Sequence, residues 1–181
     1  MSDDFRLDMG APWLNLLATR GRHFGAQPVE RLPTVERLHE WLAASELTPL
    51  APATHADLRA AHRLREVLRD LALGAVDGIP PKADQVSPLT AFLKTEPVHL
   101  AALDRLHRSA PASTADALGR LAHQAADCLT GPLRHDLRAC PEQDCRGVFA
   151  DPGGRRRWCP SPACASRGRV RALRERRREG S

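Results

Sequence analysis

The sequence predicts a mainly α-helical N-terminal domain and a small C-terminal domain. The C-terminal domain is a β-hairpin held by four cysteines and followed by a basic helix. Three observations predict this fold class. Apolar residues recur at helical spacing along most of the first 135 residues, four of the five cysteines form two close pairs after residue 139, and positive charge is concentrated there too. We therefore expect two domains, residues 1–135 and residues 136–181.

The composition is that of a globular protein. Hydrophobic residues make up 42% of the 181 residues and charged residues 27%, which is enough apolar material to bury a core. Aromatic residues make up only 4% and tyrosine is absent, so the core must consist mainly of Leu, Ala and Val.

Three helices follow from spacing and capping residues in the N-terminal domain. Thr34 is a typical N-cap for a helix that ends near Ser45. Apolar residues also recur with helical period from Thr54 to Ala75, where we interpret the charged side chains as a solvated face, and from Thr114 to Leu129. Cys128 lies on the apolar face of the last of these helices, and we expect it to be a buried thiol.

The remaining N-terminal segments are less regular. The apolar run Pro12–Thr19 fits a core helix or a buried strand, and residues 20–33 are expected to be a loop. A short helix is predicted from Pro88 to Lys94, with Ser87 as its N-cap. Residues 96–109 fit either a small β-hairpin or a short helix.

The cysteine pairs have the pattern C-x4-C-x13-C-x4-C, formed by Cys140, Cys145, Cys159 and Cys164. Two such pairs can supply the four corners of a tetrahedral Zn²⁺ site, and a site of four thiolates has no open position for catalysis. Two disulfides or four ordinary thiols are the alternatives, but the acidic N-terminal residues do not resemble a signal peptide, which disfavours disulfides. We therefore expect a cytoplasmic protein with one structural zinc ion and no membrane segment.

Between the cysteine pairs, a Pro and two Gly at residues 152–154 indicate a tight turn. We expect a zinc-binding hairpin with strands at residues 147–150 and 155–158, and we expect residues 140–165 to be disordered without metal. A helix should end the chain, with Cys164 binding zinc from its first turn and Gly168 as a weak point. Val170 and Leu173 should pack on the hairpin.

Charge indicates a polyanionic partner. Residues 1–138 carry 16 basic and 17 acidic side chains, whereas residues 139–181 carry 11 basic and 5 acidic ones. A basic helix fixed to a zinc hairpin is typical of DNA-binding proteins. The predicted nucleic-acid contacts are eight arginines: Arg155, Arg156, Arg157, Arg167, Arg169, Arg171, Arg174 and Arg178.

The C-terminal residues resemble the CGNR zinc finger in their cysteine spacing, their aromatic positions and a local Arg-Trp-Cys sequence. The residues that carry the resemblance are Leu137, Cys140, Cys145, Phe149, Asp151, Arg157, Trp158, Cys159, Cys164, Arg167 and Val170. Residues 14–19 and 36–42 resemble, by pattern alone, the ABATE domain that precedes this finger in bacterial transcription regulators described as stress-induced. This chain departs from the family at Ala165 and Ser166, where the motif has Gly and Asn, and at Ala18, where the N-terminal motif has Asn.

The resemblance implies a DNA-binding transcription regulator with a structural zinc ion. The sequence contains no recognisable catalytic motif, so we expect that the protein is not an enzyme. An RNA-binding or ribosome-associated zinc protein and a sensor that loses zinc on thiol oxidation are the alternative hypotheses. A homodimer and a small-molecule effector bound by the N-terminal domain are further hypotheses about partners.

Overall fold

The computed structural model describes residues 4–94, 100–102 and 106–179. The helices in this part of the chain are α1 (Pro12–Ala18), α2 (Val35–Ala44), α3 (His55–Asp77), α4 (Ala83–Phe92), α5 (Thr114–Thr130) and α6 (Pro162–Glu179), with a 3₁₀ turn at Pro132–Asp136. The strands are β1 (Arg20–Gly21), β2 (Val29–Glu30), β3 (Leu100–Ala102), β4 (Leu106–Arg108), β5 (Leu137–Ala139) and β6 (Val148–Ala150). The predicted mainly helical fold class is confirmed.

Capping residues fix where the main helices begin. The Thr34 hydroxyl accepts the Arg37 N–H at the start of α2, as predicted. At the start of α3, Thr54 and Asp57 form a reciprocal capping box, and Ser113 with Asp116 does the same for α5. Each pair satisfies backbone donors that have no partner within the helix.

Helix α3 is the centre of the core and packs against α1, α2, α4 and α5. The apolar run of residues 12–19, for which helix and strand were both open, is helix α1, and Trp13, Leu14, Leu16 and Leu17 on it are buried. Cys128 is 8% exposed on the inner face of α5, which confirms the predicted buried thiol.

Two local predictions were wrong. Helix α4 begins at Ala83 instead of Pro88, because the Gln85 side chain accepts the Lys82 N–H and provides an earlier start. Pro88 therefore lies inside the helix, at the cost of one backbone hydrogen bond. The predicted loop of residues 20–33 contains the short antiparallel pair β1–β2.

The ambiguous region of residues 96–109 contains the antiparallel pair β3–β4, in which Leu100 pairs with Arg108. Of the two predicted possibilities, a β-hairpin or a short helix, the strand pair is therefore the one that the structure contains. Pro97, where the predicted hairpin would begin, lies outside the described residues.

Two arginines that we assigned to the solvated face of α3 are buried, so that interpretation was wrong for them. Arg65 is 1% exposed and Arg69 is 6% exposed. Arg65 donates to the Thr19 hydroxyl at 2.9 Å and to both carboxylate oxygens of Glu30 at 2.7 and 2.6 Å. Arg69 donates to Glu66 at 2.7 Å and to the Leu17 carbonyl at 2.8 Å. These bonds connect α1, β2 and α3 through buried charge.

The strands β5 and β6 close the core on the side of α1 and α3. Leu137, Val148 and Phe149 are at most 3% exposed and belong to the same apolar cluster as the helices. The Ala150 N–H donates to the Met9 carbonyl at 2.9 Å, and a Cβ added to Gly10 would lie 2.7 Å from the Ala150 Cβ. Glycine at this position, with φ of +105°, therefore allows the strand to approach. Residues on both sides of the predicted boundary at 135 form one core.

Among the described residues, no helix has the length and the apolar character required to cross a bilayer.

Candidate metal centre and basic helix

The sulfur atoms of the four paired cysteines converge on one point. Cys140, Cys145, Cys159 and Cys164 each offer an Sγ atom, and these four atoms lie within 4.8 Å of one another. The Cys145 and Cys159 sulfurs are 3.9 Å apart, and none of the described cysteines forms a disulfide. Four sulfurs at about 2.3 Å from a central Zn²⁺ lie about 3.8 Å from each other. The cluster has the dimensions of a tetrahedral zinc site.

Backbone hydrogen bonds shape the first cysteine pair into a tight turn. The Cys140 N–H donates to the Gly147 carbonyl at 3.0 Å, and the N–H groups of Cys145 and Arg146 both donate to the Glu142 carbonyl at 2.9 Å. The Gly147 N–H donates to the Cys145 sulfur at 3.4 Å. The second pair has its own turn, in which the Cys164 N–H donates to the Ser161 carbonyl.

The four thiols influence one another's ionisation. Hydrogen bonding from its neighbours, first of all Cys145, lowers the pKa of the Cys140 thiol, whereas hydrogen bonding with Cys140 raises the pKa of both Cys145 and Cys159. Four thiolates within 4.8 Å of one another repel each other, so a nearby cation favours ionisation of all four. A bound Zn²⁺ supplies the positive charge that keeps four adjacent thiolates deprotonated. Because these residues fit the ion in number, spacing and chemistry, they hold one structural zinc.

The hairpin at this centre has a different second strand from the predicted one: β6 was expected to pair with residues 155–158, which follow it. Strand β6 pairs with β5, in the register Leu137 with Ala150 and Ala139 with Val148. The first cysteine pair is thus the connection of the hairpin. Residues 155–158 are not a strand, because the Asp151 carboxylate accepts the Arg156 N–H at 2.8 Å and holds the chain in a turn.

Helix α6 begins beside the metal centre, with Cys164 in its first turn as predicted. Two contacts fix its orientation. Gly168 is buried against the Trp158 indole, where an added Cβ would lie 2.6 Å from Cζ2 and closer still to Nε1. On another face, Arg167 and Arg171 form ion pairs with Glu142, whose side chain is only 4% exposed.

The expected packing of Val170 and Leu173 on the hairpin was wrong. Their exposed fractions are 46% and 44%. The small surface of Gly168 brings a different face of α6 against Trp158, so the two apolar side chains face solvent.

The structure separates the eight predicted contact arginines into three groups. Arg155, Arg156 and Arg157 are exposed on the loop before Cys159, with Arg157 placed 5.0 Å from the Trp158 ring centre. Arg167 is occupied by Asp144 at 3.1 Å and by Glu142, and Arg171 is occupied by Glu142. The others are exposed on α6: Arg169, Arg174 and Arg178. That any of these residues contacts nucleic acid stays a prediction.

Sequence reasoning missed several residues of this region. Arg176 and Arg177 are also exposed on α6, although the uninterrupted run of arginines at 176–178 was visible. Asp144 was missed as well: its carboxylate accepts from Arg167 on α6 and, at 3.3 Å, from Arg22 in the loop between β1 and β2. No local sequence pattern predicts a contact between residues so distant in sequence.

Replacing Gly168 by alanine is expected to destabilise the finger, although helix propensity alone favours alanine by about 1 kcal/mol. The added methyl group would overlap the Trp158 ring, at a cost of about 1–3 kcal/mol. Thermal unfolding followed by circular dichroism shows whether the substitution lowers or raises the stability. Ser166→Ala, an exposed change on the same helix, is the control and should be neutral or stabilising. In a Trp158→Ala background the Gly168→Ala change should lose its penalty; a penalty that persists there would contradict the contact.

The comparisons with known families agree with this geometry. Residues 10–132, more than half of the chain, match the ABATE family, described as "Putative stress-induced transcription regulator". The chain belongs to the ABATE family. Residues 137–177 match the CGNR zinc finger, so both parts of the resemblance drawn from sequence are confirmed. The comparison with curated proteins found no significant match.

The CGNR signature is retained at its ends in this ABATE protein. Cys164 is a zinc ligand, and Arg167 donates to its sulfur at 3.5 Å as well as to Asp144. Burial lowers the pKa of Arg167, but Asp144, Cys164 and Glu142 more than offset this effect and raise it. The arginine of the signature therefore fastens α6 to the first cysteine pair. Ser166, which replaces the asparagine of the signature, is exposed.

Proposed function

We propose that this ABATE protein is a DNA-binding transcription regulator, and not an enzyme, in which the zinc ion positions α6 for insertion into the DNA major groove. The observation that carries the proposal is that α6 is fixed to the metal centre at its start and mostly exposed along the rest of its length. Its first turns are fixed by Cys164, Gly168 and Arg167. Every side chain described from Ala172 to Arg178 is exposed or half-buried, and four of these residues are arginines.

The exposed side chains suit DNA in two ways. Arginines on α6 and at residues 155–157 would neutralise phosphates on either side of the groove. Val170 and Leu173, neighbours on one face of α6, would make apolar contacts with base edges such as thymine methyl groups.

Binding to duplex DNA is expected to weaken steeply with salt. Neutralising about five or six phosphates gives a slope of roughly −5 in a plot of log K against log salt concentration. Replacing Arg174 and Arg178 together by glutamine should reduce that slope by about 2. Fluorescence anisotropy with a labelled duplex of mixed sequence measures both values.

The matched control replaces Arg59 and Arg63 by glutamine, because these arginines are exposed on α3 and the net charge changes by the same amount. That variant should keep the slope of the unchanged protein. A flat salt response would refute the proposal. Competition with a structured RNA of equal length tests the RNA-binding alternative, and a clear preference for RNA would replace DNA as the partner.

A further inference from the structure

A cavity of about 170 Å³ lies between the ABATE segment and the zinc finger. Its apolar lining comes from Met9, Leu17 and Val29 on one side and from Val148 on the other. The zinc ion would occupy only the space between the four sulfurs, whereas the cavity extends to Leu17 and Val29. A cavity of roughly 150 Å³ is large enough for one benzene ring. This space can therefore hold a small organic molecule in addition to the metal.

The charged lining of the cavity has one sign. Among the residues that the structure describes, seven arginines line it, and no aspartate or glutamate does. The carboxylate partners of six of these arginines lie outside the lining: Asp8 pairs with Arg6, Glu66 with Arg20 and Arg69, Asp144 with Arg22 and Arg167, and Asp77 with Arg146. A ligand in the cavity would therefore meet guanidinium groups and no carboxylate. Arginines line both sides of the cavity, Arg22 and Arg69 from the ABATE segment and Arg146 and Arg167 from the finger.

One of these arginines is built into the core. Arg69 is 6% exposed, and its guanidinium is fixed by Glu66 and by the Leu17 carbonyl. It lies 3.0 Å from Nδ1 of His23, which also lines the cavity. Burial and the charge of Arg69 lower the pKa of His23, so the imidazole is neutral near pH 7. A neutral imidazole that accepts through Nδ1 carries its proton on Nε2, which lies 3.9 Å from the Glu66 carboxylate.

The backbone at the cavity is strained at two arginines. Arg22 has φ of +49° and Arg146 has φ of +42°, a left-handed conformation that favours glycine. Only one further non-glycine residue in the described part of the chain, Glu46, has positive φ. Such strain costs about 1 kcal/mol or more per residue and concentrates at functional sites. Both side chains form ion pairs: Arg22 with Asp144 at 3.3 Å, and Arg146 with both carboxylate oxygens of Asp77 at 2.8 and 2.7 Å.

We propose that this cavity binds a small organic carboxylate whose apolar part is about the size of one ring. The carboxylate would pair with the lining arginines, and the ring would rest on Met9, Leu17 and Val148. An inorganic phosphate would satisfy the arginines but would leave the apolar lining empty. The site thus selects a carboxylate with an apolar body over a bare anion.

The site is also connected to α6, and this regulatory consequence rests on the proposed DNA-binding function. Asp144 accepts from Arg22 and from Arg167, and both arginines line the cavity. A bound carboxylate would compete with Asp144 for them. Since Arg167 fastens α6 to the first cysteine pair, occupancy of the cavity would alter the position of α6 and with it the affinity for DNA.

The test is titration calorimetry of the full zinc-loaded chain with acetate, butyrate, benzoate and phenylacetate. We expect benzoate or phenylacetate to bind with a Kd of about 1 mM or tighter, and benzamide and inorganic phosphate to bind at least about tenfold more weakly. Arg22→Gly should weaken carboxylate binding about tenfold or more without loss of zinc, because glycine suits the left-handed backbone. Glu46→Gly relieves the same kind of strain outside the cavity and should leave binding unchanged.

Several results would overturn the proposal. One is the absence of binding by every carboxylate at about 10 mM. Equal affinity for phosphate and benzoate would refute the apolar selection, and loss of zinc from Arg22→Gly would mean that the arginine serves the metal centre. A final anisotropy titration adds benzoate to the DNA complex. Benzoate binding by a protein that does not bind DNA would support the site while refuting the proposed function.

Discussion

Replacing Cys145 by serine is expected to remove zinc and to lower the stability of the whole chain. Structural zinc contributes about 10–16 kcal/mol in small zinc fingers, which matches or exceeds the total stability of a typical domain. Sequence alone predicts disorder confined to residues 140–165. The structure predicts a wider effect, because Val148 and Phe149 of β6 are buried against the helices and the cysteine pair connects β6 to β5.

Metal analysis should give about one zinc per unmodified chain and none for Cys145→Ser, and thermal unfolding should shift as a single transition. Cys128→Ser is the matched control, since Cys128 is buried in α5 and lies outside the sulfur cluster. It should retain zinc. In a contradicting result, Cys145→Ser would lose α6 while the N-terminal helices unfolded in a separate transition with the midpoint of the unmodified protein. The finger and the N-terminal helices would then not share a core.

Replacing Arg65 by methionine is expected to lower the free energy of unfolding by about 3 kcal/mol, the lower end for breaking a buried ion pair, since Glu30 is one-third exposed. Methionine fills similar space but leaves the Glu30 carboxylate and the Thr19 hydroxyl without their guanidinium donor. Arg63→Met is the control on the same helix. Because Arg63 is exposed, its replacement should change stability by no more than about 0.5 kcal/mol.

The Arg65 effect should depend on pH. Burial raises the pKa of Glu30, but hydrogen bonds from Arg65 and Leu32 outweigh it and place the pKa below the usual value of 4.5. A carboxyl whose folded pKa is lowered stabilises the fold above its unfolded pKa, and this stability is lost as pH falls through the folded pKa. Urea unfolding between about pH 6 and pH 3 should therefore show the Arg65→Met deficit shrinking with acid. A deficit independent of pH would mean that Arg65 acts by packing alone.

Helices and metal ligands were the most predictable features of this ABATE protein. Thr34 caps α2 as predicted, because capping depends on residues three positions apart. The caps Thr54 and Ser113 lie within one residue of the helix starts that periodicity predicted. Helix α4 was placed wrongly because Pro88 is a strong local signal that a weaker one, Gln85, overrode. On α3, Arg63 and Asp70 are exposed as expected. Arg65 and Arg69 are buried, and their partners, Glu30 and the Leu17 carbonyl, are 35 and 52 residues away.

By itself, the sequence determined the helical periodicity, the family and a zinc site of four cysteines, since each depends on spacing within short segments. Tertiary structure alone decided which strand pairs with β6, which arginines are buried and which face of α6 meets Trp158. It also created the arginine-lined cavity between the ABATE segment and the finger. These features depend on contacts between residues far apart in the chain, where burial, charge pairing and steric fit are settled only when the segments pack together.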